Sequence, residues 1–326
     1  MTLFDLFTQN LLSPPILFFA LGILAGIIRS DLEIPESISR YLSLYLMMAI
    51  GFKGGVAIAN TDQFTPQVWG TMAAGVGIGL LQPFLAYGLL RLTSHIDKAT
   101  AAAIAAHYGS ISMVTFVTAT SFLNTNGVVY AGYIVAVLAL MEAPAIVSGL
   151  FIAHRTSPET QHPDKDKRLS RDILTNGSIL LLSGSFLIGW ITGEPGMEKV
   201  EAFLVSPFQG VLCLFLLDMG LLVARNLQHL RDFTLSLVMF GLYMPLIGGL
   251  AGLATSYALG LDVGTGMLFT VLCASASYIA VPAAMRLALP EARIAIYLPM
   301  SLALTFPFNI SLGIPLYYAA ATRFLS

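Results

Sequence analysis

The sequence has few charged residues: 16 basic and 18 acidic side chains make up 10% of its 326 residues. A typical soluble domain is about 25% charged, whereas 56% of this chain is hydrophobic and its mean hydropathy is +0.81. A soluble surface needs more charge than this, which excludes a soluble globular enzyme and a disordered chain. A nucleic-acid-binding protein is also excluded, because the net charge of −2 provides no basic surface.

Cysteine is scarce as well, and the usual catalytic patterns are missing. Cys213 and Cys273 both lie in apolar stretches, which predicts core residues rather than a disulfide or a metal site. Gly75, Gly77 and Gly79 lie in an apolar helix with no strand before it, so they do not form a phosphate-binding loop. We therefore expect no enzyme activity, no cofactor and no ATP-driven transport.

Long apolar runs dominate the chain and predict an all-α polytopic membrane protein, since about 20 helical residues cross a bilayer core of about 30 Å. We predict ten spans, at residues 14–30, 37–59, 66–91, 98–123, 126–153, 173–193, 202–225, 232–258, 262–284 and 294–321. With this count, thirteen basic residues lie on one side of the membrane and only Lys199 and Arg323 on the other. The basic side is cytoplasmic, so both termini are predicted outside a bacterial inner membrane.

The two halves of the chain are related by a shift of 165 residues. This shift places Lys53 on Asp218 and residues 109–112 on 274–277. Five spans per half is an odd number, so the second half must run inverted relative to the first. We therefore predict a first repeat (1–153), a cytoplasmic linker (154–172) and a second, inverted repeat (173–326). Such repeats are characteristic of secondary transporters, whose substrate site lies near the midplane.

The fourth and ninth spans are each interrupted by small and polar residues, at 107–112 and 274–278. Gly and Ser weaken a helix, and Pro282 lacks a backbone N–H. Backbone unwinds at membrane depth only where protein or water satisfies it. We expect the two broken helices to cross near the midplane, where half-helix N-termini favour an anion and hydroxyls and freed carbonyls favour a cation such as sodium.

The predicted binding residues all lie at these two breaks. They are Gly109, Ser110, Ser112, Thr115, Ala274, Ser275 and Ser277, with Ser112, Thr115 and Ser277 as the candidate sodium ligands. The alternative is that these small residues only allow close helix packing. That packing role is the prediction for the glycine pairs Gly22/Gly26, Gly75/Gly79 and Gly248/Gly252, and His107 is predicted to be a hydrogen-bonded structural residue.

Three ionisable residues lie inside predicted spans, where they are costly unless paired or hydrated. Lys53 and Asp218 occupy equivalent repeat positions and are expected to form a buried ion pair, with either a structural or a coupling role. Glu142 precedes Pro144 and is expected to bind a cation, carry a proton or serve packing. Asn309, near the equivalent place in the second half, is a candidate polar partner.

Four segments together resemble the sodium-dependent bicarbonate transporter family: residues 51–55, 107–113, 274–282 and 311–317. The resemblance covers nearly the whole chain. It implies a Na+/HCO3− symporter with a core and a gate domain, assembled as a homotrimer in the lipid bilayer. It also implies that bicarbonate and Na+, the coupling ion, lie at Gly109, Ser110, Ser112, Ala274, Ser275 and Ser277.

The chain departs from the cyanobacterial members of that family in two ways. Those members tend to carry an acidic residue in the second break, where Tyr278 stands here, and their central loop is longer than residues 154–172. A small PII-like regulator docks on their cytoplasmic face. The sequence is interpreted as a sodium-coupled bicarbonate symporter working by alternating access. The alternatives are a symporter for another small anion, such as a carboxylate, and a passive anion channel or sensor.

Overall fold

The structure, a computed structural model, describes residues 3–59, 65–156, 177–227, 233–278, 281–282, 285, 289 and 291–325. All regular elements in these ranges are helical. The helices are α1 (Leu3–Leu11), α2 (Pro14–Ile27), α3 (Glu36–Ala59), α4 (Pro66–Thr93), α5 (Lys98–Gly109), α6 (Met113–Thr125), α7 (Ile134–Thr156), α8 (Gly177–Leu204), α9 (Phe208–Asn226), α10 (Leu235–Ala258), α11 (Val263–Ala274) and α12 (Ile294–Phe324).

Most of these helices begin and end within a few residues of the predicted spans, but four places differ. α9 begins at Phe208 rather than at residue 202, because residues 205–207 form a turn. α7 begins at Ile134 rather than at residue 126, because the chain first turns through Gly127, whose φ is +66°. α8 runs beyond the predicted end of its span but bends at Gly193 (φ +55°, ψ −152°), a conformation that favours glycine. α1 was not predicted, since nine residues cannot cross a bilayer.

Seven segments in the described part of the chain are long and apolar enough to cross a membrane, with α5 and α6 counted together, or eight if α1 and α2, bent by 63°, form one span. An all-helical, multi-pass membrane protein is therefore confirmed, and the ten-span count stays a prediction. The difference arises partly because α11 has only 12 residues and much of the chain between residues 279 and 290 lies outside the described ranges. So do residues 157–172 of the predicted linker.

Both predicted helix breaks are present. α5 ends at Gly109 and α6 begins at Met113. α11 ends at Ala274, residues 275–278 are not helical, and Val281 and Pro282 are helical again. The small and polar residues at both places therefore interrupt the helices as the sequence predicts.

Glycines set how closely the helices approach. α3 packs along α8 and α9 packs along α2. A Cβ added to Gly55 would lie 2.0 Å from the carbonyl oxygen of Phe186, and one added to Gly22 would lie 2.1 Å from that of Leu217. The packing role predicted for the three glycine pairs holds, since an added Cβ at any of the six would lie within 3.0 Å of a neighbour.

α4 packs along α5 and α7, and α10 packs along α11. The last helix, α12, widens into π-helical turns at Met300–Thr305 and Asn309–Gly313. The side chain of Asn10 in α1 donates to the carbonyl oxygens of Ile310 (2.8 Å) and Ser311 (3.1 Å) in the second of these turns. A π-helical turn departs from the regular α-helical hydrogen-bond pattern. The Asn10 amide of α1 supplies hydrogen bonds to two carbonyl oxygens there.

The shift of 165 residues reappears in local geometry. Asp97 caps α5 by accepting from the Thr100 N–H, and Asp262 caps α11 by accepting from the Thr265 N–H. At the other ends of the same helices, Ser110 (φ −94°, ψ 161°) and Ser275 (φ −92°, ψ 166°) have nearly the same backbone conformation. These correspondences support the repeat, while its inverted orientation stays a prediction.

We predict that Gly55→Val lowers the melting temperature of the detergent-solubilised protein by several degrees. The new side chain would meet the Phe186 carbonyl, which belongs to a helix backbone and cannot turn away, and overpacking of this kind costs about 1–3 kcal/mol. Gly77→Val is the matched control, because nothing lies within 4 Å of a Cβ built there. Equal melting temperatures for the two variants would contradict this account.

A second prediction concerns Asp97, which also forms an ion pair with Arg293 at 2.9 Å. Partial burial raises the pKa of the Asp97 carboxyl, but the hydrogen bonds from Thr100 and Arg293 and the Arg293 charge outweigh it and hold the pKa below its usual value. The stabilisation is therefore present above about pH 4 and lost as the pH falls through the folded pKa.

Asp97→Ala removes both the cap and the ion pair, and we expect it to cost about 0.5–2 kcal/mol at pH 7. Asp97→Asn keeps a cap and loses only a half-exposed ion pair, worth about 0.2–1 kcal/mol. Melting curves between pH 7 and pH 3 should show the wild type converging on Asp97→Asn as the pH falls. A gap that does not narrow at low pH would contradict the ionic contribution.

Candidate functional site

The two helix breaks lie against each other and are joined by two hydrogen bonds that backbone N–H groups donate. The N–H of Ser277 donates to the carbonyl oxygen of His107 at 2.9 Å. The N–H of Ser112 donates to the Ser275 hydroxyl oxygen, also at 2.9 Å. Each break therefore satisfies part of the other's unwound backbone, as membrane depth requires. We call this contact, residues 107–112 with 274–278, the crossing.

Two amide side chains satisfy the helix ends that meet at the crossing. Gln82 in α4 donates to the carbonyl oxygens of Tyr108 (2.6 Å) and Cys273 (2.8 Å), at the ends of α5 and α11. Asn309 in α12 donates to the Ala274 carbonyl oxygen at 2.9 Å. Asn309 was a candidate from the sequence, whereas Gln82 was missed. Its signal was a lone amide within an apolar span, next to Pro83.

The hydroxyl of Ser112 begins α6. Its oxygen accepts from the Thr115 N–H (3.2 Å) and the Thr115 hydroxyl (2.9 Å), which is the geometry of an N-cap. The Ser275 hydroxyl is equally occupied, because it accepts from Ser112 and donates to the Leu272 carbonyl oxygen (2.9 Å). Ser112 and Ser275 therefore hold the local structure of the crossing, and Thr115 keeps its oxygen lone pairs.

Three buried polar atoms at the crossing have no hydrogen-bond partner among the described residues: Ser110 Oγ, His107 Nε2 and Tyr278 Oη. His107 Nδ1 lies 2.7 Å from the Ala103 carbonyl oxygen, so this nitrogen carries the proton and Nε2 offers a lone pair. The Tyr278 hydroxyl lies near Ser112 without reaching hydrogen-bond geometry. Buried groups of this kind are rare without a ligand or water.

The free hydroxyl of Ser110 breaks the repeat symmetry. The shift of 165 residues makes Ser110 equivalent to Ser275 and Ser277 equivalent to Ser112. The Ser112 N–H uses the Ser275 hydroxyl, so a symmetric site would join the Ser277 N–H to the Ser110 hydroxyl. The Ser277 N–H bonds to the His107 carbonyl instead. Of the two equivalent hydroxyls, that of Ser275 is therefore hydrogen-bonded within the protein. That of Ser110 has no partner among the described residues.

Gly109 and Ala274, both predicted to bind the substrate, have packing roles in the structure. A Cβ added to Gly109 would lie 2.1 Å from Cγ of Pro83, so only glycine allows α4 this close to the break. Ala274 contributes its carbonyl oxygen to Asn309. Both residues thus contact neighbouring helices at the crossing, and their predicted role in substrate binding stays a prediction.

The ion pair predicted between Lys53 and Asp218 is wrong. The ammonium of Lys53 lies 4.8 Å from the centre of the Phe208 ring, and the half-buried carboxylate of Asp218 accepts from the Ser39 hydroxyl. α3 and α9 contact each other, but Lys53 lies against Phe208 and Asp218 lies against Ser39. Ser39 is about 21 Å from Lys53 along α3, so the two equivalent repeat positions do not meet. Neither residue is among the contacts of the crossing. The side chain of Glu142 lies outside the described residues.

A cavity of about 710 Å³ lies beside α6, between α1, α2 and α9, and its lining has no charged side chain. At its edge the Gln209 amide of α9 and the Ser121 hydroxyl of α6 are joined by hydrogen bonds of 3.0 and 3.2 Å. This contact links α9, which packs with α2, to the second half of a broken helix. Cys213 also lines the cavity.

Comparison with known proteins gives one family match that spans nearly all of this architecture. Residues 14–322 match the model of the Na+-dependent bicarbonate transporter superfamily. This range includes both helix breaks and nearly all of α12. No curated protein matches the chain. Because the match extends over far more than half of the sequence, the chain belongs to the Na+-dependent bicarbonate transporter superfamily.

Proposed function

We propose that this protein is a secondary transporter that couples Na+ entry to the uptake of bicarbonate by alternating access. The observation that carries the proposal is the set of unpartnered buried polar atoms at the crossing, on Ser110, His107 and Tyr278. Membership of the superfamily supports the choice of ions. A transporter needs polar groups at membrane depth that only its cargo completes, because the protein's own bonds would otherwise close the site.

The donor and acceptor pattern at the crossing suits bicarbonate. A bicarbonate ion accepts hydrogen bonds through its carboxylate-like oxygens and donates one through its O–H. The hydroxyls of Ser110 and Tyr278 can donate, and the lone pair of His107 Nε2 can accept. The N-terminus of α6, which begins at this point, adds a favourable dipole for an anion. A carboxylate such as acetate is the second candidate, and it has no O–H for the histidine.

Oxygen ligands for Na+ come from the same place in this proposal. Thr115 keeps its lone pairs because its hydroxyl donates to Ser112, and Ser277 lies within the second break. Close approach of the two ions offsets the cost of bringing each charge out of water, which provides a physical reason for their coupling. The homotrimer and the docking of a PII-like regulator, which only the family resemblance suggests, stay predictions, as do the outward-facing termini.

Alternating access requires the helices around the crossing to move against the rest. α2, α3, α8 and α9 pack with one another, and α4, α5, α6, α7, α10 and α11 form a second group of neighbours. The Ser121–Gln209 hydrogen bonds join these groups beside the large cavity. We propose that this weak polar contact breaks and re-forms as the site changes the side to which it opens.

Transport should be tested with labelled bicarbonate in proteoliposomes. We expect accumulation above the equilibrium level when Na+ is higher outside, and none when K+ replaces Na+. Acetate in excess should compete poorly, because it lacks the donor that His107 accepts. Equal uptake in K+ would contradict sodium coupling, uptake that stops at equilibrium would indicate a channel, and strong competition by acetate would favour the carboxylate alternative.

The matched serines provide a sharper test of the site. Ser110→Ala should leave the melting temperature nearly unchanged, because its hydroxyl has no protein partner. It should raise the KM for bicarbonate roughly tenfold, since a hydrogen bond to a charged group is worth about 1.5–3 kcal/mol. Uptake kinetics over a range of bicarbonate concentrations measure this effect. An unchanged KM would remove Ser110 from the site.

Ser275→Ala is the comparison, at the equivalent repeat position. It leaves the Ser112 N–H buried without an acceptor, and we expect it to lower the stability by about 1–3 kcal/mol. Thermal unfolding in detergent separates the two variants. If Ser110→Ala were the less stable of the two, the assignment of one serine to the cargo and the other to the fold would be wrong.

A further inference from the structure

Lys53 lies in a membrane-spanning helix, and none of the described side chains gives it a counter-charge. Its ammonium stands over the Phe208 ring and makes no hydrogen bond or ion pair with any described residue. Asp218, the acid at the equivalent repeat position, accepts from Ser39, about 21 Å along α3 from Lys53. A charged side chain inside a span normally pairs with another charge or faces water. The surroundings of Lys53 therefore need explanation.

The ammonium-bearing side chain lines a cavity of about 120 Å³. One water molecule needs only about 10–15 Å³ of such space, so an anion of four heavy atoms can enter. Polar groups from other elements line the same cavity, namely Thr120 and Asn124 of α6 and Tyr130 of the turn that follows. The cavity thus combines one fixed positive charge with neutral hydrogen-bonding groups.

Two glycine contacts close one wall of this cavity. A Cβ added to Gly54 would lie 2.5 Å from Cβ of Val135, and one added to Gly132 would lie 2.0 Å from Cβ of Ala57. α3 can therefore approach the start of α7 closely enough to enclose the lysine. The other walls belong to α6 and α9, so the cavity lies where the two groups of helices meet.

The cavity and the crossing are connected along α6. Ser112, Phe116, Thr120 and Asn124 recur every four residues, so each lies close to the next, about one helical turn further along α6. At 1.5 Å per residue, Thr120 lies about 12 Å along the axis from Ser112. Between them stands the fully buried ring of Phe116, which also lines the cavity.

We propose that the Lys53 cavity is a second anion site, in which a small monoanion is held before it passes Phe116 to the crossing. This rests on the proposed function, because the anion would be the transported bicarbonate. A fixed positive charge raises the local concentration of anions, and the crossing itself offers dipoles and hydroxyls. Lys53 would thus supply the attraction that the crossing lacks.

Lysine substitutions test the site through uptake kinetics in proteoliposomes. Lys53→Gln should raise the KM for bicarbonate about five- to tenfold with little change in kcat, and Lys53→Arg should retain most of the wild-type KM. Lys199→Gln is the matched control, because Lys199 is exposed on α8. A wild-type KM in a folded Lys53→Gln protein would overturn the anion site while leaving the transport function intact. No uptake by the wild type would overturn both.

Chemical modification separates the charge of Lys53 from its shape. In a Cys213→Ser background, Lys53→Cys should show the raised KM. Aminoethyl methanethiosulfonate should lower it again by restoring an ammonium, and the sulfonatoethyl reagent should raise it further. Cys273 is buried and should not react. If both reagents changed the KM in the same direction, the role of Lys53 would be packing and the proposal would fall.

Discussion

The rest of the structure depends on how the backbone N–H and carbonyl groups at the two helix breaks find hydrogen-bond partners inside the membrane. Two helices stop in the apolar interior, and their free N–H and carbonyl groups have no water to bond with. The protein answers with reciprocal bonds between the breaks, seen at Ser277 to His107 and Ser112 to Ser275. Gln82 and Asn309 complete the helix ends. The positions of α4 and α12 follow from this requirement.

The proposed binding chemistry depends on the polar side-chain atoms at the crossing that have no hydrogen-bond partner among the described residues. A fully paired crossing would be only a structural joint, whereas an unpaired one would not be stable in lipid. Here several backbone groups of the breaks are paired, and a few side-chain atoms have no partner among the described residues, chiefly the hydroxyl of Ser110. The repeat itself sets up this difference, because Ser110 and Ser275 share a backbone conformation but not a hydrogen-bond partner. A small departure from symmetry thus separates a structural serine from one available to cargo.

Charged side chains are also used sparingly. In the proposed function, the crossing would hold an anion with dipoles, hydroxyls and the imidazole of His107, and without a fixed charge. Lys53 lines a separate cavity and stands apart from the crossing, on the far side of Phe116. Separation of a strong attraction from a weaker binding place suits transport, because a site that binds too tightly slows release. The glycines that bring α3 against α7 enclose that lysine.

The sequence by itself determined the membrane class, most helix bounds and the location of both breaks, because hydrophobic length and clusters of Gly, Ser and Pro act locally. It also singled out the serines and Asn309. Tertiary structure alone decided which serine is free, that Gly109 and Ala274 shape the crossing, that Gln82 joins both helix ends, and that Lys53 and Asp218 do not pair. Each of these depends on which helices become neighbours. A shift between repeats identifies equivalent residues, but it does not say whether they meet.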